Sequence, residues 1–340
     1  MIWTNPPNID LNNYLPYQTG QQISQPNPAE WEQNPTKPKI AILFAQADDF
    51  ISQEWYKLTA NFAPKTVANL GFVQGGAESW EETLQELKKN NTFAIIVHSP
   101  PLERAFWDNQ QSKITVIDSH LQFQNSIFPP KGANIQTWLA HQSYYTEPLA
   151  LEMLENQNVD LLRLGQLKAD ISQVEPLIRE SNQLIINPRA VRAADMPLSN
   201  QPNPNGLAAA EICRILRYAA INEHLDTAII QDFSYKNQQE AQTAHLLAQM
   251  IWFLIEGFFA RKGDYPLNLE KLQHYSLSIQ NWDEPLHFFK SKYSERWWVA
   301  VPALMDIEAP TACLRPCAYK DYEQASKGEL SERLWNYLAL

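Results

Sequence analysis

The side chains that could do chemistry gather at the ends of short apolar runs. After Lys113-Ile-Thr-Val-Ile117 come Asp118, Ser119, His120, Leu121 and Gln122. An Asp and a His two residues apart at a strand end can point the same way and share one cation. The plainer reading is a carboxylate that caps a turn beside a satisfied, half-buried imidazole, and two residues alone favour it. His98 closes the run from Thr92 to Ser99, and His141 closes Ile135–His141, near a strand end from which it could face a cleft. His245 lies inside a helical stretch, where packing or exposure accounts for it. The serines near His98 and His141 form no nucleophile-elbow pattern. Gly75-Gly76 lacks the spacing of a phosphate loop and reads as a turn.

Two other groups fall to plain readings. Cys313 and Cys317 have no second Cys pair or His nearby to complete a tetrahedral zinc site, so they read as reduced thiols. Trp297-Trp298 come without a basic patch and read as core and interface anchors rather than a platform for stacked bases.

These residues are carried by a recurring pattern. KIAILFAQ from Lys39, TVANLGF (66–72), TFAIIVHS (92–99), KITVIDSH (113–120), IQTWLAHQ, VDLLRLGQL, QLIINP and DTAIIQDFS (226–234) are apolar runs of strand length. Helical stretches separate several of them. SWEETLQELKKN carries acids in its first turn and lysines in its last, with Ser79 expected as its N-cap. EPLALEMLENQ and AAEICRILRYAAIN (209–222) follow, then the longest, EAQTAHLLAQMIWFLIEGFFARK, ended by Gly263 and Pro266. Apolar strands alternating with helices imply βαβ units and a three-layer α/β fold, a mainly parallel sheet covered by helices on both faces. We expect residues 1–38, rich in Asn, Pro and Gln, to form an N-terminal arm that packs through Trp3, Tyr14, Tyr17 and Trp31 or stays mobile. Residues 39–305 are expected to form one α/β domain whose last strand is SERWWVAVPAL, and 306–340 a partly helical C-terminal tail packed on it.

Composition bounds the function. Hydrophobic residues are 44% of the 340 and charged residues 19%, enough apolar material for a sizeable core. Net charge is 27 − 38 = −11. With no long run of either sign, that argues against a nucleic-acid groove or an anionic membrane surface as the main partner. Three cysteines fit a reducing compartment. The first twenty residues have no signal-peptide pattern. The apolar stretch Leu246–Ala260 is about 15 residues, short of the roughly 20 a membrane span needs. No membrane insertion and a cytoplasmic location are expected.

The strand-end motif also carries a resemblance. IDSH is similar to the D-A-H-x-D signature of the ureohydrolases (arginase, agmatinase and formimidoylglutamase), which follows a central strand. VANLGFVQGGAESWEETLQELKKNNTFAII resembles the strand, turn and helix before that family's first metal motif. RLGQLKADISQVEPLIRESNQLIINPRAVRAADMP is similar to the segment leading into its S-x-D-x-D motif. NPNGLAAAEICRILRYAAI, QTAHLLAQMIWFLIEGFFARKGDYP and SERWWVAVP look like blocks of the arginase-family proteins of Bacteroidetes, a formimidoylglutamase-like group. The resemblance covers about residues 39–325 and rests on many blocks in order. It implies hydrolysis of a guanidinium or amidine C–N bond by a water activated between two Mn²⁺ ions, which need a ring of carboxylates and imidazoles.

Position by position, the ring is depleted. The His of the family's G-G-x-H falls on Pro101, with His98 three residues upstream. Asp118 and His120 stand at ligand positions, but the last Asp of D-A-H-x-D is Gln122. The two aspartates of S-x-D-x-D fall on Asn187 and Arg189, and the later substrate-side glutamate falls on Gln231, beside Asp232. Asp118 and His120 are therefore read as vestigial metal ligands, and His141 and Gln231 as candidate substrate contacts. No cofactor is expected; Mn²⁺ would be, only if the site were functional. Arg189 is expected to pair with Asp118 and fill the old metal cavity with an internal ion pair. Three functions stay open. The first is a non-catalytic homologue acting as a binding or scaffold protein, either as a homo-oligomer or with an unidentified protein partner. The second is an amidine or guanidine hydrolase of altered mechanism, one metal held by Asp118, His120 and a carboxylate such as Asp232. The third is an enzyme of another class that reuses the cleft without metal.

Overall fold

The computed structural model describes residues 9–44, 49–73, 76–98, 112–122, 134–233, 240–265, 267–279, 284–302 and 311–338. They divide into two compact units. One holds residues up to Ile171 together with Glu180–Phe259; the other holds Ser172–Arg179 and Ala260–Leu340.

The larger unit is built on eight strands: β1 (Ile40–Phe44), β2 (Val67–Phe72), β3 (Phe93–His98), β4 (Ile114–Ile117), β5 (Ile135–His141), β6 (Asp160–Arg163), β7 (Gln183–Ile186) and β8 (Thr227–Gln231). Their order across the sheet is β2-β1-β3-β8-β7-β4-β5-β6, and every neighbouring pair is parallel. The central strands are buried along their whole length, as in β3, FAIIVH, and β7, QLII. A strand covered on both faces has no solvent side to alternate toward, which is why the sequence shows continuous apolar runs. Helices at Asp49–Tyr56, Ala77–Lys89, Pro148–Asn156, Leu164–Ala169, Ala209–Ile221 and Glu240–Phe259 flank the sheet.

Two of these helices come very close. A Cβ built on Gly257 would lie 2.6 Å from the Arg217 carbonyl oxygen, so glycine there lets Glu240–Phe259 meet Ala209–Ile221. The helix expected to start at Ser79 begins at Ala77, with Gly76 as its N-cap. Ser79 lies inside it, and its carbonyl accepts the Thr83 hydroxyl at 2.7 Å. Among the described residues no helix is long and apolar enough to cross a membrane.

The arm belongs to the larger unit. Ser24 donates to the Val67 carbonyl at 3.0 Å and accepts from the Asn69 amide at 2.9 Å, so the arm continues the sheet beyond β2. Trp31 is buried in the core, Tyr14 meets Tyr56 edge-on at 5.5 Å, and Tyr17 is exposed. Trp3 lies outside the described residues.

The stretch expected as one body, 39–305, is shared between the two units. Residues from Ala260 belong to the smaller unit, a four-stranded antiparallel sheet of β9 (Leu272–Leu277), β10 (Leu286–Ser291), β11 (Trp297–Ala300) and β12 (Leu314–Cys317), in the order β12-β11-β10-β9. The strand expected at SERWWVAVPAL is β11, inside this sheet rather than at the end of the parallel one. Residues expected to form a tail supply β12 and the helices Tyr319–Ser326 and Glu332–Leu338, which cover one face around Phe288, Trp297 and Val299.

Candidate functional site

Strand order decides where a site can form. β3 and β4 are successive in the chain, yet β8 and β7 lie between them. In open parallel sheets such a reversal is where a crevice for ligands generally forms, at the carboxyl ends of the strands. Chemistry-bearing residues that end or directly follow these strands and the neighbouring β5 are His98, Asp118, His141, Asn187, Gln231 and Asp232.

Asp118 follows β4 and is 1% exposed. Its Oδ1 accepts Arg189 Nε at 2.6 Å and its Oδ2 accepts Arg189 Nη2 at 2.7 Å, a two-pronged ion pair. Oδ1 also accepts the His120 amide at 2.9 Å. Arg189 lies in the 3₁₀ turn after β7, and its third donor, Nη1, reaches Gln201 Oε1 at 2.9 Å. Burial, the larger influence, pushes the Asp118 carboxyl up; Arg189 and the His120 amide pull it down, and the charge of Asp232 adds to the rise.

Asp232 follows β8 with a left-handed backbone, φ 65°. Its Oδ2 accepts Asn187 Nδ2 at 3.2 Å, and its Oδ1 accepts Asn200 Nδ2. Asn187 Oδ1 in turn accepts the Arg189 amide at 3.1 Å. The His120 ring stacks on Tyr145 at 4.1 Å, with Nδ1 bonded to the Ser119 hydroxyl at 2.8 Å. Burial and the nearby guanidinium of Arg189 lower His120 to about 4.

His141 is 4% exposed, and its Nδ1 has no hydrogen-bond partner among the described residues. It follows a break in register with β6, where Ala140 has φ 69°. Such a bulge re-aims the next side chain at the cost of backbone strain. Burial and then Arg163 lower His141 to about 4. Gln231 is buried at the end of β8, in register with His98 of β3, and the His98 ring lies 5.8 Å from Trp80. Gln122 is half-buried after β4. Pro101 lies outside the described residues.

Sequence reasoning passed over the segment 191–207. It bridges to Phe233 through Ser199, closes on itself at Val191–Leu207, and sends Asn200 to Asp232 and Gln201 to Arg189. Gln142 Nε2 donates to the Asn205 carbonyl at 3.0 Å. Gly206 packs against the backbone of Val191 and Arg192, where a Cβ would meet atoms 2.6–2.7 Å away. The available signal was the density of amides in Ser199-Asn-Gln-Pro-Asn-Pro-Asn205, next to a strand end that carries charge.

These side chains do not fit a pair of divalent ions. All four carboxylate oxygens of Asp118 and Asp232 already accept hydrogen bonds, and a permanent cation stands beside Asp118. Among the described residues no three His, Cys, Asp or Glu side chains come together as a metal-binding group.

Known structures share the fold. A Trypanosoma cruzi formiminoglutamase crystallised with Mn²⁺ matches 67% of this chain and 96% of its own, with TM-score 0.58 and 13% identity. The agmatine ureohydrolase of Thermoplasma volcanium matches 67% of this chain and 92% of its own (TM-score 0.52, 13% identity). The formimidoylglutamase of Bacillus subtilis matches 70% and 90% (TM-score 0.54, 11% identity). The chain has the arginase-like α/β fold. No protein-family model and no curated protein matches the sequence.

Proposed function

We propose that this chain is a ureohydrolase homologue that has given up amidine hydrolysis and works in the cytoplasm as a binding or scaffold protein, as a homo-oligomer or with a protein partner. The observation that supports this reading is the Arg189–Asp118 pair: a guanidinium takes both oxygens of the carboxylate that a dication would need. Arginine keeps its charge at any physiological pH, so it repels a cation as well as occupying its ligand. In this reading Gln122 and Asn187 are neutral replacements for anionic ligands, and Pro101 replaces an imidazole. His141, with an unpartnered buried nitrogen, and Gln231 are the candidate contacts for a small molecule held without chemistry.

The rival reading is an amidine or guanidine hydrolase with one metal on Asp118, His120 and Asp232. It draws support from the presence of these three groups at one end of the sheet and requires Arg189 to swing away. Release of urea, ammonia or formamide from arginine, agmatine and N-formimidoylglutamate, assayed after Mn²⁺ loading with metal content measured in parallel, separates the two. No turnover and less than a tenth of an equivalent of bound Mn²⁺ is expected. Turnover that tracks bound Mn²⁺ sinks the scaffold reading.

A further inference from the structure

Outside the crevice, one arrangement of metal-ligating side chains is built into regular structure. β9 and β10 pair in antiparallel register, with His287 opposite Ser276 and Phe289 opposite His274. His274 and His287 are therefore diagonal neighbours on one face of the sheet, the relation in which long side chains on adjacent strands can touch. Their ring nitrogens do touch: His274 Nε2 and His287 Nδ1 are 3.0 Å apart, joined by a hydrogen bond. The His274 ring is also stacked on Phe289, with centroids 4.9 Å apart and planes 24° from parallel, which restrains its orientation. His274 is exposed and His287 half-buried, so solvent reaches the pair.

We infer that His274 and His287 form a two-imidazole chelate site for a late first-row divalent cation, Cu²⁺ before Ni²⁺ or Zn²⁺. Two nitrogens bound to one such ion at about 2.0–2.1 Å lie about 2.8–3.4 Å from each other, depending on whether they meet at a right or a tetrahedral angle. The 3.0 Å spacing falls within that range. Without metal, one neutral imidazole donates its proton to the other. On metal binding the donor ring gives up that proton to water and takes one at its other nitrogen, so it stays neutral, and a modest rotation of the two rings turns both facing lone pairs onto the ion. Imidazole suits these ions, and the Irving–Williams order places Cu²⁺ first. Water completes the coordination. Anchoring both ligands on paired strands makes capture by the second imidazole intramolecular. The site is independent of the reading given to Arg189 and Asp118.

The test uses the untagged full-length chain titrated with Cu²⁺ and followed by calorimetry and by electron paramagnetic resonance. One equivalent is expected, with nitrogen hyperfine structure from two imidazoles. His274→Ala and His287→Gln should each weaken binding about tenfold or more and leave the signal of at most one imidazole. Both positions are solvent-reached, and an unchanged circular dichroism spectrum checks that each variant folds. Three results would overturn the inference. They are no stoichiometric Cu²⁺, one equivalent that survives both substitutions, or a dimer formed on metal addition in which each copy gives a single imidazole.

Discussion

Arg189 in the larger unit and Arg179 in the smaller one are both buried against a carboxylate, and their surroundings give them different meanings. Arg179 donates Nε and Nη2 to Glu175 one helical turn earlier, at 2.9 and 2.5 Å. It also donates Nη1 to the Trp297 carbonyl of β11 at 2.7 Å and reaches the Cys317 carbonyl of β12 at 3.4 Å, and its plane covers the Trp298 ring at 4.7 Å. Three of its contacts are backbone or core, so it braces a sheet. Arg189 donates only to side chains, Asp118 and Gln201, at the end of a sheet where a ligand would enter. The same chemistry thus reads as architecture in one unit and as an altered site in the other. What separates them is where the remaining donors go.

If that distinction holds, the two arginines respond differently to removal. Arg179→Ala leaves Glu175 half-compensated by Arg296, 3.3 Å away, and two strand carbonyls without their donor. Chemical denaturation should show a loss of about 3–5 kcal/mol, with Arg179→Lys unable to restore it. Arg189→Ala should cost less, about 2–3 kcal/mol, because Asp118 can take up a proton once its partner is gone. The double change Asp118→Asn with Arg189→Met should recover most of that loss in a double-mutant cycle. Additive losses would mean that Arg189 also braces the fold, and the contrast would fail. Gly257→Ala supplies a packing control in the larger unit. Its new Cβ would sit against Arg217 and Ala220, and a melt should show a loss of about 1–3 kcal/mol while the crevice is untouched.

Acid should separate the two units as well. His141 is lowered from 6.5 to about 4, so between those values the unfolded chain holds the extra proton. Stability from this group is complete above pH 6.5 and is lost as pH falls toward 4. Burial raises Glu175, but Arg179 and Arg296 outweigh it and hold the carboxyl below its ordinary 4.5. Its contribution is therefore lost only at lower pH. Hydrogen exchange should show the larger unit loosening first between pH 6.5 and 4.5. His141→Asn should remove on the order of 1–2 kcal/mol of that pH dependence. Simultaneous loosening of both units would contradict this.

The parallel sheet was legible because strands buried on both faces must be apolar along their length, as QLII and FAIIVH are. The ion pair was legible only by position: Arg189 falls where the resembling family carries an aspartate, and Asp118 is the nearest anion left to meet it. The smaller unit was not legible as a unit. Its strands are short, β9 and β10 are partly exposed, and such a stretch looks like a continuation of the alternating pattern before it. The amide-rich segment 199–205 escaped notice for a related reason. Neutral amides carry no periodicity and no charge, and their role comes from partners distant in sequence, Asp232 and Arg189 among them.

In the proposed reading a guanidinium stands where a cation would otherwise be held. Anomalous diffraction from crystals grown with millimolar Mn²⁺ tests it at the atoms concerned. No anomalous peak is expected beside Asp118, and the Arg189 side chain should still be bonded to both carboxylate oxygens. A manganese peak between Asp118 and His120, with Arg189 turned out of the crevice, would contradict it.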